Sequence, residues 1–98
     1  MLDLQKLETF RMVAVTSNFS RAATELGYTQ STVTFHIQSL ERELGVRLLE
    51  RQRFSKTIAI TDIGRRILEY AERLLALAAE ANAKAVAFRR SRAPSGAH

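Results

Sequence analysis

"SRAATELGYTQSTVTFHIQSLEREL", residues 20–44, decides the fold. It holds two segments with helical apolar spacing, separated by a glycine and a few polar residues. Ser20 is a plausible N-cap for the first segment, "RAATEL", because its hydroxyl can accept from a free backbone N–H. Gly27 suits the left-handed position that ends a helix. Thr29 then caps a second helix, Gln30 to Leu44, which Gly45 closes. On that helix Val33, Ile37, Leu40 and Leu44 follow i, i+4, i+7, i+11, one buried stripe. Two short helices joined by a tight turn at Gly27 form a helix-turn-helix pattern. In that motif the second helix lies in the DNA major groove, with its N-terminal residues at base edges.

At 100° per residue, Ser31, Thr34, Phe35, Gln38 and Arg42 fall opposite the apolar stripe. This outward face carries donors, acceptors, one cation and one aromatic ring, with no acid at its centre. Glutamine can pair bidentately with adenine, hydroxyls can bond either base type, and an apolar ring can pack on a thymine methyl. Small hydroxyl residues on an outer helix face are also common solvated positions. Two placements of Phe35 are open at this stage: against a base, or tucked under the following hairpin or against Tyr28 as a satellite of the core. His36 falls nearer the flank and reads as a partly buried, neutral imidazole rather than a catalytic group. No second interior histidine joins it, and His98 lies in the tail.

On the N-terminal side, Leu7, Phe10, Val13 and Ala14 mark a helix from Leu4 to Thr16, interrupted by "SNFS". On the C-terminal side the period changes. "RLLERQRFSKTIAIT" alternates β-branched residues through Thr57, Ile58, Ala59 and Ile60, which predicts a β-hairpin with its tip near Phe54, Ser55 and Lys56. Arg51, Arg53 and Lys56 occur with no acid between Arg51 and Thr61. A charged hairpin is often merely soluble. Directly after a helix-turn-helix, it could set cations on phosphates or in the minor groove. The N-termini of the second and third helices offer further N–H groups to phosphate oxygens.

Thr61 caps a long helix from 62 to about 90. Ile67, Ala71, Leu74, Ala78, Ala81, Ala85 and Phe88 alternate steps of four and three along it, the coiled-coil period. At 1.5 Å per residue it spans about 43 Å, longer than the preceding domain can cover. Its first turns, near Ile63 and Ile67, fold back on the domain; the remainder needs a second chain. The expected organisation is a mainly α chain: a winged helix-turn-helix over 1–61, a linker or dimerisation helix over 62–90, and a disordered tail over 91–98.

The totals agree with this reading. The 98 residues suffice for one small domain with a thin core. Fifteen basic residues against ten acidic give a net charge of +5, which favours an anionic partner, nucleic acid before a membrane surface. Cysteine is absent, so no disulfide or thiolate metal site exists, as a reducing cytoplasm would suit. No apolar run approaches the ~20 residues needed to cross a bilayer. No metal cluster, activated nucleophile or phosphate-cradling glycine loop points to an enzyme or a cofactor.

These residues resemble the N-terminal DNA-binding domain of LysR-type transcriptional regulators. The resemblance rests on "LETFRMVAVTSNFSRAATELGYTQSTVTFHIQSLERELGVRLLER" (7–51) and "ITDIG" (60–64). Within them stand Ala22-Ala23, Gln30-Ser31, Leu40-Glu41, Leu44-Gly45 and Leu49-Glu50-Arg51. It implies a winged helix-turn-helix, a homodimer joined by paired linker helices, and binding to an imperfect palindrome in promoter DNA. It also implies that Gln30, Ser31, Thr34 and Phe35 face DNA and that Arg53 belongs to the wing. Phe35 stands where the family often has a polar or basic residue, and Leu49 where phenylalanine is usual. The stretch from Arg51 to Gly64 is about two residues longer than common. The family's C-terminal effector domain is missing; the tail resembles an inter-domain connection, so an excised domain is expected, and a small-molecule effector would belong to the full-length protein. The alternatives are a MarR-like regulator, which would place more helix before the motif, and a winged-helix protein-interaction module, which would present an acidic or apolar recognition face.

Overall fold

The computed structural model of the protein describes residues 2–51 and 58–92, with Arg51 given by its backbone alone. The chain runs α1 (Leu4–Thr16), α2 (Phe19–Leu26), α3 (Gln30–Leu44), β1 (Leu49–Arg51), β2 (Ile58–Ile60) and α4 (Asp62–Arg92). The strands pair antiparallel, with Leu49 opposite Ile60 and Arg51 opposite Ile58. The hairpin is therefore present, while its expected tip at Phe54, Ser55 and Lys56 lies outside the described residues, as does Arg53.

Local sequence sets each helix end. The Asp3 carboxylate accepts from the Gln5 and Lys6 amides to start α1. Ser17 ends it in the left-handed region at φ 55°, the one non-glycine residue there among those described. The start of α2 corrects the expectation of a Ser20 cap. Asn18 is extended, and its side chain accepts from the Arg21 amide at 2.9 Å. Asparagine caps as well as serine, and the earlier start puts Phe19 inside the first turn, where it buries with Ala22 and Ala23. Gly27 and Gly45 close α2 and α3 as expected, both at φ 72°. Thr29 caps α3 by accepting from the Thr32 amide at 3.1 Å.

The core gathers Leu7, Phe10 and Val13 of α1, Phe19, Ala22 and Ala23 of α2, Val33, Ile37 and Leu40 of α3, Leu48 and Leu49 at the wing, and Ala71 of α4. Leu44 packs at its edge. Burying a side chain of Val, Leu, Ile or Phe contributes about 1.5–3 kcal/mol, so these positions outweigh any surface pairing.

Two connections fix the wing. Glu41 of α3 accepts from the Leu48 and Leu49 amides at 2.7 and 3.2 Å, which holds the first residues of the wing against α3. Thr61 then joins the wing to α4: its hydroxyl donates to the Arg47 carbonyl at 2.6 Å and accepts from the Gly64 amide at 2.9 Å. Thr61 thus caps α4 as expected. Gly64 is buried on that path, and a Cβ built there would collide with the Leu48 carbonyl oxygen and stand 2.8 Å from Ile60 Cγ2.

The long helix departs from its expected seam. Ala71 is fully buried in the molecule's own core, and Ile67 and Leu68 pack against that core. Ile67 and Ala71 are therefore committed within the chain. The large exposed apolar residues of α4 are Ile63, Tyr70, Leu74, Leu77 and Phe88, so Ile63 does not fold back on the domain as expected whereas Ile67 does. Of the expected seam, Ile67 and Ala71 thus face the molecule's own core, while Leu74 and Phe88 are exposed. The cause is steric: α1 packs against the first turns of α4, and the small Ala71 lets the two elements approach. Helix α4 also includes Ser91 and Arg92, expected in a disordered tail; residues 93–98 lie outside the described part.

Candidate nucleic-acid interface

Helix α3 presents its polar face as one open surface. Gln30, Ser31, Thr34, Phe35 and Gln38 together line a shallow concavity. Sequence spacing had grouped Ser31, Thr34, Phe35 and Gln38, and the resemblance added Gln30; the fold brings all five together. Arg42 lies exposed a turn beyond. The side chain of Arg51 and all of Arg53 and Lys56 fall outside what is described, so no geometry joins them to this face.

The ring of Phe35 is 57% exposed, which removes the placement under the wing or against Tyr28. Tyr28 instead meets His36 edge-on, with ring centroids 5.3 Å apart. His36 is partly buried and its Nδ1 lies 2.7 Å from the Thr9 hydroxyl, which also reaches the Gln5 carbonyl. Thr9 itself is fully buried on α1. This network ties α3 to α1 behind the outward face, the structural role the sequence assigned to His36.

Sequence spacing missed four contributors. Ser20, freed from capping, donates from its hydroxyl to Gln30 Oε1 at 3.0 Å. That bond uses one lone pair of the amide oxygen of the exposed Gln30 and leaves its amine as a donor. Glu41 holds the wing, as described above. Arg47 is exposed and lines a second concavity with Thr34, Gln38 and Glu41 on the wing side of α3. On the opposite flank, Lys6 of α1 places Nζ 2.8 Å from Ser39 Oγ and 5.9 Å from the centre of the Phe35 ring. The Lys6–Ser39 pair spans 33 positions, beyond the reach of helical periodicity.

Residues 4–65 match the family described as "Bacterial regulatory helix-turn-helix protein, lysR family". The chain belongs to the LysR family. It is 45% identical over 74 residues to the HTH-type transcriptional regulator HdfR of Salmonella typhimurium, covering 76% of this chain and 26% of that protein. The chain thus spans about a quarter of the length of the curated relatives it matches. Among solved LysR-type structures, the fold superposes on the CbnR DNA-binding domain in its DNA complex with TM-score 0.80, at 36% identity over 88% of this chain and 97% of that one. It superposes on the BenM DNA-binding domain bound to benA site 1 DNA with TM-score 0.80, at 31% identity over 89% and 99%.

Among the described residues of this LysR-family chain, no helix is long and apolar enough to cross a membrane. Among the described residues no group of three or more His, Asp or Glu side chains could hold a metal ion.

Proposed function

We propose that this chain is a sequence-specific, double-stranded-DNA-binding module of a LysR-type transcriptional regulator, acting as a homodimer on a palindromic promoter site. The observation that carries it is the outward face of α3. Five side chains with base-reading chemistry share one concavity, and no carboxylate lines it. A protein-interaction winged helix would present an acidic or apolar face there. The likeness to CbnR and BenM DNA-binding domains solved with DNA supports the same reading.

In this reading Thr34, Phe35 and Gln38 stand at base edges, while Gln30 and Ser31 divide between bases and backbone. The amine of Gln30 suits an acceptor, such as a purine N7 or a phosphate oxygen. Arg51, Arg53 and Lys56 of the wing contribute backbone or minor-groove contacts. Residues 1–61 form the DNA-binding part and α4, Asp62–Arg92, the linker helix; a small-molecule effector would belong to a full-length regulator.

Pairing uses the stripe Tyr70, Leu74, Leu77, Ala81 and Phe88, with Ala78 and Ala85 at its margin. Helix α4 has 31 residues, and the molecule measures 63 Å in its longest dimension against 25 and 19 Å in the others. The far turns of α4 therefore extend past the domain, with their apolar side chains exposed. A second copy would cover them and set two recognition helices on half-sites separated by a multiple of roughly 34 Å.

A fluorescence titration against the DNA upstream of the protein's own gene, beside a scrambled duplex, tests the proposal. Specific proteins bind their sites typically 10³–10⁷ tighter than other DNA. Equal affinity for the two duplexes would overturn sequence-specific recognition.

A further inference from the structure

The outward face of α3 bears no cation between Gln30 and Gln38, yet phosphate neutralisation dominates the affinity of DNA-binding proteins. Lys6 of α1 lies beside that face. Its Nζ is held by Ser39 Oγ at 2.8 Å and stands 5.9 Å from the Phe35 ring centre. An ammonium has three N–H donors, so the bond to Ser39 leaves two unused. Among the described residues no carboxylate pairs with it. Lys6 is partly buried, and its Nζ is anchored on α3 by the bond to Ser39.

We propose that Lys6 contacts a DNA phosphate, supplying from α1 the positive charge that α3 lacks between Gln30 and Gln38. The inference rests on the proposed reading that α3 enters the major groove. An α-helix with its side chains is about 10–12 Å across and the major groove about 12 Å wide. Side chains on the two flanks of the helix therefore face the two phosphate backbones. Thr34 and Gln38 mark the flank toward Arg47 and the wing. Phe35 and Ser39 mark the other, and Lys6 is the cation anchored there. The contact positions the helix in the groove and sets how deep Phe35 sits; it carries no base information itself.

Lys6→Met keeps most of the stem and removes the charge; Lys6→Arg retains it. Both are titrated, with the parent, over a range of salt against a mixed-sequence duplex of about two helical turns and against the upstream DNA. Lys6→Met should lower the slope of log K against log salt by about one per bound protomer, about two for the dimer, and weaken binding about fivefold per protomer near 0.15 M salt, alike on both duplexes. Lys6→Arg should keep the parent's slope. An unchanged slope for Lys6→Met, whether or not affinity falls, would make Lys6 an internal tie between α1 and α3 and overturn the proposal. Should the parent fail to discriminate the duplexes while Lys6→Met still lowers the slope, sequence-specific recognition fails and the phosphate contact stands.

Discussion

Phe35 is the residue whose exposure demands a function. Burying a phenylalanine contributes about 1.5–3 kcal/mol, and here that stabilisation is forgone on the most exposed side of α3. If its ring meets a thymine methyl, Phe35→Ala should cost roughly 1–3 kcal/mol on the true site and leave non-specific binding nearly unchanged. Replacing the contacted thymine by deoxyuridine should cost parent and variant differently, since only the parent has a ring to lose contact with the methyl. Equal losses on specific and scrambled DNA would mean that the ring does not read sequence. Gly64 is a residue of the opposite kind, small because the chain leaves it no room. Gly64→Ala places a methyl against the Leu48 carbonyl, which is backbone and cannot swing aside. Overpacking of this kind costs typically 1–3 kcal/mol. Thermal unfolding should register it, and any variant that remains folded should carry α4 at an altered angle to the wing.

At the scale of elements, a single carboxylate ties the wing to α3. Glu41 satisfies two backbone N–H groups at the start of β1, and leaving such donors unpaired costs about 1–3 kcal/mol when they are buried. Glu41→Ala should lower the melting temperature more than Arg42→Ala, its exposed neighbour, and should also weaken DNA binding, because Glu41 and not Arg42 holds the start of the hairpin. A circular-dichroism melt read beside a DNA titration separates the two effects. Arg53 extends the test to the hairpin's charges. Arg53→Ala should weaken binding across sequences and lower the salt slope by about one per bound protomer. An unaltered slope would reduce the basic run to a solvated hairpin.

For the whole molecule, assembly and recognition are one question. One recognition helix covers few base pairs, so tight binding needs two, joined at a fixed spacing. Leu74 and Leu77 belong to the exposed stripe, whereas Ala71 lies inside the molecule's own core. Leu74→Asp and Leu77→Asp should each separate the pair, leaving a folded monomer with steeply reduced affinity for a full palindrome, since the coupling of half-sites is lost. Ala71→Leu should instead destabilise the fold by overpacking. Sedimentation beside a palindrome titration checks both. A Leu77→Asp protein that stays dimeric would return the seam to the alanine series, and a monomer that binds the palindrome as tightly as the parent would detach assembly from recognition.

What the sequence determined by itself was local. Helix ends were legible at Gly27, Thr29 and Gly45 because caps depend on one residue's φ and one side-chain oxygen. The stripe of Val33, Ile37 and Leu40 was legible because burial on a helix repeats every 3.6 residues. Motifs such as the paired alanines at 22 and 23 then carried the family, and with it the grouping of Gln30 with Ser31, Thr34 and Phe35. Tertiary structure decided whatever joins distant positions. Asn18 displaced Ser20 as a cap because Phe19 gains burial from the earlier start, and Ser20 became the partner of Gln30. Ala71 left the expected seam because α1 occupies that side of α4, and a heptad pattern in sequence cannot say which of two adjacent stripes a domain will cover. Lys6 reached Phe35 because α1 and α3 cross in space. Periodicity reports the angle of a side chain around its own helix; which neighbour waits at that angle is settled only when the helices pack.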